Sequence, residues 1–350
     1  MSIQLSCKSL LMCWVLGLSC ASLGTTPVTA SGDAVAAETD SSYTPTSKQL
    51  CAAASRPENY RGAFLKSFKT LQLGSQDWLF RDMDLKRAYG PRPAGYKSLQ
   101  QLQQVLQSHG TALVMVPIPG RPLVHPEYLG EINYDIQRGR KSYSNYLAQL
   151  RGLNIVVPQI DSLFQQNQIK PLFFARDHHW NHHGARTIAR LTAYAIKASK
   201  ISGIQRQKFT SYSVGGSHND GSLQRAAQQL CEQTYRKEPF KLYQTLAQSS
   251  DDLFTEQPEP QIVLVGTSNS KGRLKFNFDG FLAHYIGATV NNKASSGGGF
   301  GGALKRYLIS EEFRQSPPKV LVWEIPGYYS LNETAFFDDL LKNLEVRPST

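Results

Sequence analysis

Apolar residues along the chain gather in short, nearly continuous runs separated by amphipathic stretches. Thr111-Ala112-Leu113-Val114-Met115-Val116, Gln261-Ile262-Val263-Leu264-Val265 and Lys319-Val320-Leu321-Val322-Trp323 read as strands covered on both faces, and Asn154-Ile155-Val156-Val157 as another. A helical pattern runs from Ser98 to Ser108. Between Gly184 and Lys200, Ala185, Ile188, Ala189, Thr192, Ala195 and Ile196 fall on one stripe, with Asn181 available as the N-cap. This alternation predicts a three-layer α/β fold with a mostly parallel central sheet, whose functional residues gather in loops at the carboxyl ends of strands. Residues 202–252 break the pattern. They are polar and Gln-rich, punctuated at Gly215-Gly216 and Gly221, with Cys231 in a short helix, and read as an insertion or flap.

The first thirty residues follow other rules. A lone cation, Lys8, precedes an apolar run from Leu10 to Leu18 and small residues ending in Val28-Thr29-Ala30, which reads as a signal peptide over 1–30. The run is shorter than the roughly 20 residues of a comfortable membrane span, so a retained anchor is the alternative. Residues 31–48 are poor in large apolar side chains and read as a flexible leader, 49–330 as the folded domain and 331–350 as a C-terminal tail. Three of the five cysteines, Cys7, Cys13 and Cys20, fall in the signal peptide. The other two, Cys51 and Cys231, would form one disulfide in an oxidising compartment, two free buried thiols being the alternative.

At 350 residues and 41% hydrophobic composition the chain can bury a sizeable core. Its 38 basic residues exceed 27 acidic ones, for a formal charge of +11, yet no block of Lys and Arg occurs. That distribution speaks against a nucleic-acid arm and leaves another polyanion as a partner.

Two segments carry candidate chemistry. In Ala175-Arg176-Asp177-His178-His179-Trp180-Asn181-His182-His183-Gly184, half of the eight histidines fall close together. In Val265-Gly266-Thr267-Ser268-Asn269-Ser270, small residues follow a buried strand and permit a tight turn that exposes a hydroxyl. A serine is a poor nucleophile at neutral pH unless an imidazole takes its proton and a carboxylate fixes the imidazole's tautomer. Asp177 and His179 supply both groups. At i and i+2 of an extended segment they project to one side, with His178 pointing away. The plain alternatives are a helix-capping Ser268, an Asp177 paired with Arg176, and a Trp180 that only packs. The pairs His178/His182 and His179/His183 have the i,i+4 spacing of zinc ligands, but the Glu of H-E-x-x-H is missing and Trp180-Asn181 suits a loop-to-helix junction. No metal and no cofactor is expected.

The Asp177-x-His179-Trp180 element, Gly266-Thr267-Ser268-x-Ser270, Gly74-Ser75-Gln76-Asp77-Trp78-Leu79-Phe80, Val116-Pro117-Ile118-Pro119 leading to Pro126-Glu127-Tyr128-Leu129, and Val322-Trp323-Glu324-Ile325-Pro326 together resemble the alginate O-acetyltransferase family of AlgX/AlgJ type, from about Cys51 to Tyr329. The resemblance implies an SGNH-hydrolase-like fold and a periplasmic acetyl-serine mechanism. In it Ser268 is the nucleophile, His179 the base and Asp177 its orienting carboxylate, in an order permuted from ordinary SGNH esterases. It also implies a disulfide like that of the AlgX branch, an acidic polysaccharide substrate, an exopolysaccharide export complex, and an acetyl donor served by a membrane-bound O-acyltransferase. Two departures stand out. The chain ends soon after its last predicted strand, so the C-terminal carbohydrate-binding module is expected to be absent, and Asn269 stands where the family motif often has an aromatic.

For an oxyanion, the Ser268 N–H is the first candidate donor. The loop Ser296-Gly297-Gly298-Gly299 is the second, with Gly298 at its centre, against the plain reading of a mobile loop. Asn269, Asn277, Arg121 and Trp180 complete the candidate oxyanion and substrate contacts. The expected activity is O-acetyl transfer to an exported acidic polysaccharide. An acetyl esterase with the same triad and a non-catalytic polysaccharide-binding subunit are the alternatives.

Overall fold

The apolar runs at 112–118, 262–265 and 320–326 pair side by side, in parallel, in one buried sheet. A computed structural model describes residues 50–165, 170–248 and 261–345. The signal peptide and leader assigned to 1–48 lie outside the described residues. In chain order the strands are β1 (Leu71–Leu73), β2 (Leu79–Arg81), β3 (Ala112–Ile118), β4 (Phe209–Asn219), β5 (Glu238–Ala247), β6 (Ile262–Val265), β7 (Val290–Asn292) and β8 (Val320–Pro326). The central sheet has the order β3-β8-β6-β7, every pair parallel. Val322 lies opposite both Val114 and Leu264, and Val114, Val116, Leu264, Val265, Leu321, Val322 and Trp323 are fully buried. A sheet covered on both faces leaves no room for the apolar/polar alternation of a half-exposed strand.

Helices flank the sheet. Helix His182–Ala198 starts where predicted: Asn181 has extended backbone and its side chain accepts from the His183 N–H (2.8 Å) and the Gly184 N–H (3.1 Å). Of the predicted stripe, Ala185, Ile188, Ala189, Thr192 and Ile196 are buried and Ala195 is half-buried, with Ala193 buried beside them, and the helix packs on Phe278–Ile286. Helix Pro93–Ser108 packs on Thr334–Glu345. No helix among the described residues is long and apolar enough to cross a membrane.

Two expectations need correction. Residues 154–157 are not a strand: only Val156 bridges Val114, with mutual backbone bonds to Leu113 and Met115 of 3.0 Å. Pro158, which has no N–H to give, follows at once. The stretch read as a C-terminal tail contains the helix Thr334–Glu345, with Phe337 and Leu340 fully buried and Leu341 and Leu344 nearly so, an i, i+3, i+4, i+7 stripe.

Within 202–252, β4 and β5 form a two-stranded antiparallel ribbon, and helix Ser222–Cys231 connects them. That helix buries Leu223, Ala226 and Ala227 against Ala54, Tyr60, Phe68, Leu71 and Leu79 in a small second core, which the Cys51–Cys231 disulfide closes.

Candidate active site

Two loops meet at the carboxyl end of the sheet. The first is closed at its base by an antiparallel bridge between Phe173 and Trp180 and carries Asp177, His178 and His179 at its tip. The second follows β6, where Thr267, in extended backbone, caps a helical turn beginning at Ser268. His179 Nδ1 donates to Asp177 Oδ1 at 2.7 Å, which leaves Nε2 unprotonated to accept from the Ser268 hydroxyl at 2.9 Å. Ser268 and His179 are half-buried, whereas Asp177 is buried. As the first residue of its turn, Ser268 keeps an N–H with no partner inside the helix.

Asp177 is held from several sides. Besides His179 it accepts from the Ser222 hydroxyl (2.9 Å) and Asn219 Nδ2 (3.2 Å), and Lys275 Nζ lies 3.5 Å from its second oxygen while donating to Asn219 Oδ1 at 2.7 Å. Burial alone would raise this carboxyl, but His179, His178 and Lys275 outweigh it and keep Asp177 well below the usual carboxylate range. Asn219 and Ser222 come from the ribbon and helix of the 202–252 segment, which residue types alone did not connect to the site. Gly221 makes their approach possible, since a Cβ there would sit 2.0 Å from the Arg176 carbonyl oxygen.

His178 does not point away, contrary to the strand-like reading. The loop turns here, so its ring packs on that of His179 (centroids 3.8 Å) and its Nδ1 lies 2.6 Å from the Ser222 hydroxyl. Ser222 spends its single proton on Asp177, so His178 donates from Nδ1. Burial, and then the neighbouring His179, hold its pKa well below the ordinary value.

The serine loop rests on Glu324, a fully buried side chain of β8. One oxygen accepts from the Thr267 N–H (2.8 Å) and the Ser270 hydroxyl (2.9 Å), the other from the Thr267 hydroxyl (3.0 Å). Thr267 Oγ1 in turn accepts from the Asn269 N–H (3.3 Å) and Nδ2 (3.2 Å). Burial pushes Glu324 up to about 7, although the Thr267 and Ser270 bonds pull the other way.

Of the remaining candidates, Arg121 is a buried clamp and not a surface contact. Its guanidinium donates to the carbonyls of Leu79 (2.6 Å), Phe174 (2.7 Å) and Ala175 (2.8 Å) and pairs with Asp84 (3.3 Å), fixing the base of the histidine loop. Trp180 is fully buried, and its indole N–H donates to the Asn269 carbonyl at 3.1 Å, tying one loop to the other. Asn269 is buried inside the serine loop. Asn277 is buried with φ of +50° and donates to Thr245 Oγ1 at 2.9 Å, joining the segment after the serine loop to the ribbon. Gly298 is exposed, in a loop tethered to the site through the Ser295 N–H and the Gly266 carbonyl (3.1 Å). Asp177, His178 and His179 each bring a ligand-type atom within 4.8 Å of the others, but both Nδ1 atoms face hydrogen-bond partners. The i,i+4 histidine pairs do not share a helix, which begins only at His182.

The SGNH hydrolase-like domain of acetyltransferase AlgX matches residues 71–327. An alginate biosynthesis protein AlgX of Pseudomonas aeruginosa is 36% identical over 296 residues, which are 82% of this chain and 62% of that protein. A probable alginate O-acetylase AlgJ of the same organism is 28% identical over 73% of this chain and 69% of its own length. Among solved structures, P. aeruginosa AlgX superposes with a TM-score of 0.77 at 34% identity, covering 85% of this chain and 71% of that one. The O-acetyltransferase domain of Pseudomonas putida AlgJ superposes with a TM-score of 0.65 at 25% identity, covering 79% and 99%. The match thus spans about three fifths (62%) of the length of the P. aeruginosa AlgX relative.

Proposed function

Since the chain belongs to the family of the AlgX SGNH hydrolase-like domain, we propose that it is a periplasmic O-acetyltransferase acting on an exported acidic polysaccharide, alginate or a similar exopolysaccharide. The observation that carries this reading is the unbroken line from Asp177 through His179 to the half-buried Ser268 hydroxyl, at 2.7 and 2.9 Å. Ser268 Oγ attacks the acetyl carbonyl of a donor while His179 Nε2 takes its proton, and the Ser268 N–H faces the developing oxyanion. Collapse of the tetrahedral adduct releases the donor's leaving group, which receives that proton from His179. A sugar hydroxyl then attacks acetyl-Ser268, gives its proton to His179 and leaves as the acetate ester, and Ser268 regains its proton. Asp177 stays ionised throughout, beside the transient imidazolium. A formal charge of +10, once the signal peptide with its single Lys8 is removed, favours a polyuronate by raising its concentration near the protein. A membrane-bound O-acyltransferase as acetyl source and an export complex as the setting complete the proposal.

Incubation with a chromogenic acetyl ester, with and without oligouronates, tests it. Acetylated sugar formed by the parent and lost in Ser268→Ala supports transfer. Ester cleavage that leaves the sugar unmodified assigns an esterase, and binding without turnover assigns a non-catalytic subunit.

A further inference from the structure

Glu324 has no place in the proton transfers just described, yet among the described residues it is the one carboxylate held inside the central sheet beside the site. It occupies the carboxyl end of β8, between β3 and β6, with no solvent exposure. Three donors meet its two oxygens, all from residues 267 and 270, on either side of Ser268. Gly266 lets the carboxylate lie against the loop, since a Cβ at that position would come within 2.6 Å of Glu324 Oε2.

Burying a carboxylate costs several kcal/mol even when it is paired, and an apolar side chain would fill the same space without that cost. What an apolar side chain cannot do is accept. With both oxygens fixed, the Thr267 hydroxyl proton points into the sheet and its lone pairs turn outward to the Asn269 N–H. The backbone on both sides of residue 268 is thereby set from one point below. Among the described residues, the Ser268 side chain is engaged at His179 alone, and its N–H has no partner inside the helix that it begins.

We propose that Glu324 is the positioning residue of the nucleophile: it holds Thr267 and Ser270 so that the Ser268 hydroxyl and N–H face the same reacting carbonyl. It does not touch substrate, and the inference rests on the reading of Ser268 as the attacking group. Glutamine in its place keeps the shape but offers one acceptor oxygen and presents N–H groups to donors. The turn then loses its anchor while the sheet keeps its packing.

The test uses the full chain and a sulfonyl fluoride, which labels an activated serine with loss of fluoride, followed by mapping of the labelled residue. The wild type is expected to label at Ser268. Glu324→Gln is expected to label more slowly by about 10- to 100-fold, a loss in the range that small misplacements of a reacting group produce. With an acetyl ester it should lose kcat by a similar factor while KM stays within about twofold. At pH 8, where the carboxyl is ionised, its Tm is expected to hold or rise, because a buried charge has gone; a residue serving stability alone would lower Tm and leave the labelling rate of the folded protein unchanged. Thr267→Val removes one of the two hydroxyl donors and should show a smaller loss in the same direction, giving a readout should the glutamine variant not fold. Labelling within twofold of wild type in a folded Glu324→Gln or Thr267→Val protein overturns the positioning role and leaves the nucleophile assignment standing. Failure of the wild type to label at Ser268 overturns the nucleophile assignment, and this inference with it.

Discussion

The site contains two buried carboxylates that sit under opposite electrostatic rules. Asp177, in the histidine loop itself, lies near Lys275, His178 and His179, and stays ionised despite burial. Glu324, beneath the serine loop, has only neutral donors, and burial drives it up to about 7. The difference follows from where the support originates. The serine loop is held from inside the sheet, where a cation has no room. The histidine loop is held at its base by the buried Arg121 and at its tip by the ribbon and helix of 202–252 and by Lys275, which puts a cation beside the carboxylate. A charge that must answer an imidazolium needs the second environment, whereas hydrogen bonds that only fix a turn can be placed in the first.

Removing the charge from the outer carboxylate should have the largest effect. Asp177→Asn keeps the volume but no longer favours the tautomer that leaves Nε2 free, and kcat for an acetyl ester should fall by about 10³- to 10⁴-fold with the fold retained. Activity within tenfold of the parent would break the comparison at its stronger end.

Next comes the covalent tie of the outer support. Cys231 ends the helix whose first residue, Ser222, donates to Asp177, and Cys51 fixes that helix to the segment before β1. A Cys51→Ser/Cys231→Ser double variant should lose about 2–5 kcal/mol of stability, read as a drop of Tm on the order of 10 °C. Unchanged Tm would mean that the small second core holds the helix without the bond.

The two carboxylates should also separate by pH. Glu324 has a raised folded pKa, so between its ordinary 4.5 and about 7 the folded chain keeps a proton that the unfolded chain has released. Stability from this group therefore falls as pH rises through that window, by on the order of 3 kcal/mol. Asp177 has a depressed folded pKa. Its contribution is present above the ordinary aspartate value and is lost only as pH falls through a point well below 3.8. Urea unfolding of the parent and Glu324→Gln at pH 4.5 and pH 8 isolates the first group, because Asp177 hardly changes across that interval. The parent-minus-variant difference should fall with pH, and a flat difference would contradict the assignment.

The smallest effect is expected from Ser222→Ala, which removes one of several bonds to Asp177. About 1 kcal/mol, or a loss of kcat below tenfold, is the expected outcome of steady-state assays.

The same contrast explains what was legible in the sequence. The parallel strands announce themselves as apolar runs, and the Asp177-x-His179 element and the turn after β6 carry residue types that few other roles require together. Glu324 was visible only as a letter in the run Val322–Pro326. Nothing in a one-dimensional pattern says that a carboxylate near the end of a buried strand is met by hydroxyls 57 and 54 positions earlier. Asn219 and Ser222 were hidden for a related reason, since their segment reads as a polar insertion until the close approach at Gly221 brings it onto the Arg176 backbone. Arg121 and Trp180 stood among the candidate substrate contacts, with a structural role for Arg121 and packing for Trp180 as the plain readings. Burial decides for the plain readings, and both are spent on holding loops. The helix Thr334–Glu345 was missed, its segment being read as a tail, although the apolar stripe that buries it is present in the sequence.

The central claim is that an acetyl group passes through Ser268. Its most direct test is peptide mass mapping of the protein quenched during turnover of an acetyl ester, before and after addition of oligouronate. The account predicts a single acetyl on the peptide carrying Ser268, absent from Ser268→Ala, and discharged on addition of the sugar with matching appearance of acetylated product. An acetyl found on another residue, or one on Ser268 that the sugar cannot remove, would contradict it.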